Sequence, residues 1–182
     1  MLPILAPELM PLIADAKHHV HLLDTLPLVL THHDHGRVNL MGDPTTGGLT
    51  ALIDWDWASI EAFGMKIHSF YDDFTAHRID DEILSYDMPS PNANGKSVWD
   101  TLEEAFWEQL WETLEGVLSR ETHGVAVRTT ALIGAMNRFF DLETLDEIDD
   151  RGGMDKNEWQ HRSMMLRTNA YLPKLPCIED TR

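Results

Sequence analysis

The stretch from Val38 to Ile53 constrains this chain most. Two apolar runs, Val38-Asn39-Leu40-Met41 and Leu49-Thr50-Ala51-Leu52-Ile53, flank Asp43-Pro44-Thr45-Thr46-Gly47-Gly48. Each residue type in that centre favours a turn: Asp bonds its own backbone, Pro presets φ and Gly tolerates positive φ. The pattern predicts a β-hairpin over 38–53. A tight hairpin brings the ends of its strands together. Asn39, at the start of the first strand, and Asp54, at the end of the second, are expected to be neighbours. Asp34 lies five residues before Asn39, in the polar segment Thr31-His32-His33-Asp34-His35-Gly36-Arg37 that feeds the same strand.

Two carboxylates and one amide oxygen are thus expected to converge. Such oxygen ligands suit Mg²⁺, which prefers carboxylates, water and phosphate oxygens. Phosphoryl transfer needs the same set, with metal ligands to neutralise the phosphates and a carboxylate to orient or deprotonate the attacking hydroxyl. Taken alone, Asp34 and Asn39 also fit the plain reading of a turn cap and a self-bonded side chain.

The remainder reads as mostly helical. Leu9, Leu12, Ile13, Ala16, Val20 and Leu23 recur at helical spacing, predicting a helix over 8–24 with Pro11 in its first turn and Pro27 after its end. Leu28-Val29-Leu30 fits a short buried strand. Ile67, Phe70, Tyr71 and Phe74 mark a helix after Gly64, and 85–98 reads as a loop. Asp100 and Glu103 are spaced like a capping box ahead of Leu102, Phe106, Leu110, Trp111, Leu114 and Leu118. Leu132, Ile133, Met136, Phe139 and Phe140 mark a further helix. The acidic stretch 141–153 reads as an exposed linker, and 157–171 as a last helix. The expected fold class is mostly α with a small β-hairpin (α+β), in one domain spanning 1–182.

Composition bounds the partners. A chain of 182 residues with 43% apolar content can bury a sizeable core. Its formal net charge of -17 argues against nucleic acid or an anionic membrane as partner, since both need clustered Lys and Arg. The same charge suits a cationic small molecule, or solubility alone. The one cysteine, Cys177, allows no intrachain disulfide. No stretch approaches the roughly 20 apolar residues of a membrane span. The apolar N-terminus lacks a basic region and is interrupted by Glu8 and Pro11, unlike a signal peptide. The expected location is the cytoplasm.

The run Leu30-Thr31-His32-His33-Asp34-His35-Gly36-Arg37-Val38-Asn39-Leu40, followed by Thr50-Ala51-Leu52-Ile53-Asp54-Trp55-Asp56, resembles the aminoglycoside phosphotransferase-like family, which shares the protein-kinase fold. That family's pattern is His-Gly-Asp-x-x-x-x-Asn, a hairpin, then Ile-Asp-Trp-Glu. His32, Asp34 and Asn39 match the first part; Ile53, Asp54 and Trp55 match the second; Asp56 stands for Glu. Glu61-Ala62-Phe63-Gly64-Met65 and Phe106-Trp107 look like fungal members, and the resemblance covers roughly 8–145.

The resemblance implies a catalytic loop at 30–40, a hairpin at 38–54 and a helical remainder at 58–172: the C-terminal lobe of a kinase-like fold. It implies ATP and Mg²⁺ as cofactors and a small-molecule hydroxyl as acceptor. Asp34 would be the catalytic base or would orient that hydroxyl. Asn39 and Asp54 would bind Mg²⁺. His32 would support the loop through hydrogen bonds, and Trp55 would pack beneath the metal site. Three positions depart from the pattern: His33 replaces Gly, Gly36 sits where many members have a second His, and Arg37-Val38 replaces Pro-Gly.

Ahead of Asp34 stand 33 residues, reading as one helix and a short strand, with Lys17 the only lysine and no glycine-rich loop. A kinase-like N-terminal lobe covers the phosphates and supplies a strand lysine. The expectation is therefore a C-terminal lobe only, with poor nucleotide affinity. The alternative is a non-catalytic kinase-like remnant or binding module. A third reading is a metal-dependent hydrolase using His32, Asp34 and His35; it lacks a histidine at Leu30 to complete His-x-His-x-Asp-His.

Overall fold

A computed structural model describes residues 10–34, 36–70, 76–79, 82–85 and 95–139, with backbone alone for Arg37, 76–79, 82–85 and Phe139. The chain mixes helices with small antiparallel sheets, so the α+β class holds. Helix α1 (Met10–His19) runs into a 3₁₀ segment, Val20–Thr25. Strand β1 (Leu28–Thr31) follows, then a 3₁₀ turn at Arg37–Asn39. Next come β2 (Leu40–Gly42), β3 (Leu49–Leu52) and β4 (Ser59–Ala62). A single helical turn at 67–70 precedes β5 (Ala76–Ile79) and β6 (Glu82–Ser85). Helices α2 (Val98–Thr113) and α3 (Arg120–Phe139) complete the described chain. The 141–153 linker and the 157–171 helix lie outside the described residues.

Local chemistry sets most of these boundaries. At the end of the first helical segment Thr25 Oγ1 donates to Leu22 O at 2.7 Å. The ring of Pro27 then forces Leu26 out of the helical region, to φ -94°, ψ 145°, and turns the chain toward β1. Helix α2 opens on a capping box. Ser97 Oγ accepts from Asp100 N, and the Asp100 carboxylate accepts from Ser97 N. The expected box at Asp100 and Glu103 is thus one turn too late, because Ser97-x-x-Asp100 obeys the same rule with an acid of shorter reach. Helix α3 begins twelve residues before the first apolar marker expected for it, Leu132. Its first twelve residues include Gly124, Ala126, Thr129, Thr130 and Ala131, small side chains that give little hydrophobic periodicity.

Among the described residues three two-stranded antiparallel ladders form: β1 with β4, β2 with β3, and β5 with β6. The second is the expected hairpin, in register Leu40↔Leu52 and Met41↔Ala51, with an irregularity at Gly42. The expected helix over 67–74 is described only as the turn at 67–70; strand β5 follows. The β1 strand is not buried as its composition suggested. Leu28 and Leu30 are 72% and 65% exposed, and Leu30 faces the exposed Ile60 across the ladder. A two-stranded ladder has two faces, and no described layer covers this one.

The core forms around α3. Ala126, Val127, Ala131 and Ala135 are buried on it, joined by Leu26, Ile67, Trp99 and Leu118. Phe106, Trp107 and Trp111 of α2 pack against this cluster, with ring centroids 5.4 and 6.4 Å apart in sequence. Thr130 is fully buried, and its hydroxyl is satisfied by donating to Ala126 O at 2.7 Å. Small residues on α3 let backbone approach closely. A Cβ on Gly64, already at φ +100°, would lie 3.1 Å from Val127 O.

His68 lies in the same contact, 1% exposed, with Nδ1 3.0 Å from Met65 O. Burial, then the charges of Lys66 and Arg138, push its pKa down from 6.5 to about 4. The folded protein therefore keeps a neutral imidazole where the unfolded chain takes up a proton. Between pH 6.5 and about 4 the unfolded state binds more protons, so stability falls as pH falls through that window and is flat below it. The loss is on the order of 3 kcal/mol. Urea titrations from pH 7 to pH 4 are expected to show this slope in wild type and a shallower one in His68→Gln.

Candidate active site

The site grows out of the exit of β1. Thr31 and His32 are buried, and the chain then turns at 33–34. His32 Nε2 is 2.8 Å from Ile53 O, at the return end of the hairpin. A carbonyl only accepts, so Nε2 carries the proton and donates. The other ring nitrogen, Nδ1, is buried and has no partner among the described residues. The ring also meets Trp55 edge-on, centroids 4.9 Å apart. Trp55 is fixed in turn, with Nε1 donating to Leu52 O at 2.8 Å. His32 is thus a clasp between the turn and the hairpin, and neither nitrogen is placed to exchange protons with a ligand.

Asn39 performs the second closure. Its Nδ2 donates to Asp34 O at 2.8 Å and to Asp34 Oδ2 at 3.0 Å. Only an amide nitrogen can donate to the Asp34 carbonyl, so the orientation of the Asn39 amide is fixed. Oδ1 is left as an acceptor that no described donor reaches. The backbone of the loop is closed by Gly36 N donating to Asp34 O and Asn39 N donating to Gly36 O, at 3.0 and 2.9 Å. Asn39 is buried, whereas Asp34 is exposed. One detail differs from expectation. Asn39 ends a 3₁₀ turn and the strand begins at Leu40, because the Asn39 N to Gly36 O bond closes that turn first.

The hairpin delivers Asp54 to the same end. Ile53 N donates to Asn39 O at 2.9 Å, extending the Leu40↔Leu52 pairing by one rung. Asp54 follows at once with φ 65°, the one non-glycine residue among those described with positive φ. A left-handed conformation costs a non-glycine residue on the order of 1 kcal/mol, and such strain gathers at functional sites. It re-aims the chain between Ile53 and Trp55. The structure thus brings Asp34, Asn39, Ile53 and His32 into one hydrogen-bonded unit, with Asp54 adjoining it. His35 lies outside the described residues.

The expected donor set of two carboxylates and one amide oxygen would fit a hard divalent cation and suit zinc poorly. Among the described residues no group of three or more His, Cys, Asp or Glu gathers in metal-ligating range. Of the hydrolase set, His35 lies outside the described residues and His32 Nε2 is committed to Ile53 O.

Strand β4 was not among the expected elements. Ser59 and Glu61 from that strand reach His33, at 2.6 and 3.0 Å from its Nε2. The available signal was the alternation Ser59-Ile60-Glu61-Ala62, a polar–apolar pattern of period two.

No helix among the described residues is long and apolar enough to cross a membrane. No protein-family model matches the chain, and neither a curated protein nor a solved structure matches it significantly.

Proposed function

We propose that this chain is the C-terminal lobe of a kinase-like phosphotransferase that moves the γ-phosphoryl group of ATP to a hydroxyl on a small, cationic molecule. The observation that carries this reading is the Asn39 amide. It grips both the carbonyl and the carboxylate of Asp34, leaves Oδ1 free, and receives through its own carbonyl the rung that leads to Asp54. The resemblance of 30–40 and 50–56 to the aminoglycoside phosphotransferase-like pattern supports the same assignment.

In this reading Asn39 Oδ1 and the Asp54 carboxylate hold Mg²⁺, which when bound offsets the charge of the phosphate oxygens. Asp34, exposed at the tip of the turn, orients the acceptor hydroxyl and takes its proton. The acceptor oxygen bonds to the γ-phosphorus, the bond to the bridging oxygen breaks, and ADP departs. Asn39 keeps Asp34 aimed, while His32 and Trp55 hold the metal end against the turn. The charge of -17 favours a cationic acceptor.

The test is thermal. A ligand that binds only the folded state stabilises it by mass action, about 1.4 kcal/mol at tenfold excess over its dissociation constant. With 10 mM MgATP the melting temperature is expected to rise by about 3 °C. Mg²⁺ with a non-phosphorylated nucleoside should give no rise. An unchanged melting temperature in MgATP overturns the reading. A rise without transfer of labelled γ-phosphate to any amino-alcohol acceptor favours a kinase-like binding module instead.

A further inference from the structure

We infer that His33, held by Ser59 and Glu61 of β4, is a positioning residue that mounts the Asp34 turn from the side opposite to His32. Consecutive residues leaving an extended strand point to opposite faces. His32 goes to the hairpin, at Ile53 O, and His33 goes to β4. Thr31 pairs with Ser59 and Val29 with Glu61, so Ser59, Glu61 and the position two beyond Thr31 share one face of the ladder. That position is His33. Its Nε2 hydrogen-bonds Ser59 Oγ at 2.6 Å and lies 3.0 Å from Glu61 Oε1. The nearby carboxylate favours the tautomer with the proton on Nε2, because a lone pair there would face the Glu61 oxygen.

Glu61 supplies the second observation. Its Oε2 is buried and has no hydrogen-bond partner among the described residues. A buried carboxylate oxygen left without a donor is costly, and native structures seldom keep one without a task. The described group that Glu61 touches is His33; Lys66 acts on it only through its field. The half-satisfied acid is explained if its task is to fix the imidazole.

The consequence is a turn fastened at three points. Asn39 holds Asp34 from the C-terminal side, His32 ties the turn to the hairpin, and His33 ties it to β4. The resembled pattern has glycine at this position, and glycine has no side chain to make this mount. A flexible glycine pivot is replaced by a side chain with a defined seat. The inference rests on the reading of Asp34 as the group that meets the acceptor.

The experiment uses the full chain and two readouts. The first is the backbone ¹⁵N order parameter of Asp34. It is expected near about 0.85 in wild type, below about 0.6 in His33→Ala, and intermediate in the isosteric Glu61→Gln. The second is Mn²⁺ affinity, read by water-proton relaxation. Because the amide of Asn39, the proposed metal ligand, is held by the Asp34 turn, His33→Ala is expected to weaken that affinity about tenfold, and His33→Gln, whose amide nitrogen can reach Ser59, to restore most of it. A merely structural histidine would lower the melting temperature in both variants and leave Mn²⁺ affinity alone. An Asp34 order parameter unchanged in both His33→Ala and Glu61→Gln overturns the mount. Wild type that binds no Mn²⁺ overturns the phosphotransfer reading instead, and the order parameter still decides the mount.

Discussion

Gly134→Ala is expected to destabilise the protein by about 4 kcal/mol, at the upper end of what overpacking produces. The reason is a backbone contact. A Cβ on Gly134 would fall far inside the contact distance of Met65 O, 2.8 Å from the Met65 carbonyl carbon and 3.0 Å from His68 Nδ1. None of these atoms ends a flexible side chain. To admit the methyl group, the segment 63–70 must lift from α3, carrying with it Gly64 against Val127 and the buried His68. The same substitution ten residues earlier should act in the opposite direction. A Cβ on Gly124 would meet only Arg120 Cγ, at 3.9 Å, so Gly124→Ala should stabilise by about 0.5–1 kcal/mol through helix propensity. Urea unfolding of the two variants checks both signs, and a Gly134→Ala variant within about 1 kcal/mol of wild type would refute the close approach. The contact bears on the site because 63–70 follows β4 directly, and β4 carries Ser59 and Glu61.

The part of the site that the sequence disclosed is the part made by local chemistry. Asp43-Pro44-Thr45-Thr46-Gly47-Gly48 fixes its own turn. The Asp43 carboxylate accepts from Thr45 N at 2.8 Å and Thr46 Oγ1 at 3.0 Å, bonds that hold its pKa below the usual carboxylate value. Gly47 supplies the positive φ. Once that turn exists, register carries Ile53 to Asn39. The five-residue closure between Asp34 and Asn39 is likewise local.

What stayed hidden depends on contacts distant in sequence. Leu28 pairs with Ala62 through a register that no turn signal announces, and an apolar Leu28-Val29-Leu30 looks buried until its lone partner strand is known. His33 reads as a disruption of the loop until Ser59 and Glu61 arrive from β4. Nothing near Gly134 in sequence announces Met65, which the structure places against it. Helix α3 was half visible for a related reason. The hydrophobic pattern detects large side chains, whereas close packing there is made by small ones.

Asp34 and Asp54 are expected to fail in different ways, and the difference separates their roles. Asp34→Asn removes the proposed proton acceptor but keeps an oxygen to accept from Asn39 Nδ2, now donating to Asp34 Oδ2 at 3.0 Å. Loss of a general base costs about 10²- to 10⁴-fold in rate. Transfer to an amino-alcohol acceptor should therefore fall about a thousandfold while the MgATP-induced rise in melting temperature remains. Asp54→Asn removes a charge from the proposed metal pair but keeps the local shape, and asparagine tolerates positive φ as well as aspartate does. Folding stability should change little, whereas the response to MgATP should vanish, and transfer with it. Equal loss of the MgATP response in both variants would mean that Asp34 is itself a metal ligand. Retention of the response in Asp54→Asn would remove Asp54 from the metal site and leave the strained φ of 65° without a functional account. The split follows from the proposed roles and from the place of Asn39 between the two acids: its side chain grips Asp34, and its backbone carbonyl accepts from Ile53, next to Asp54.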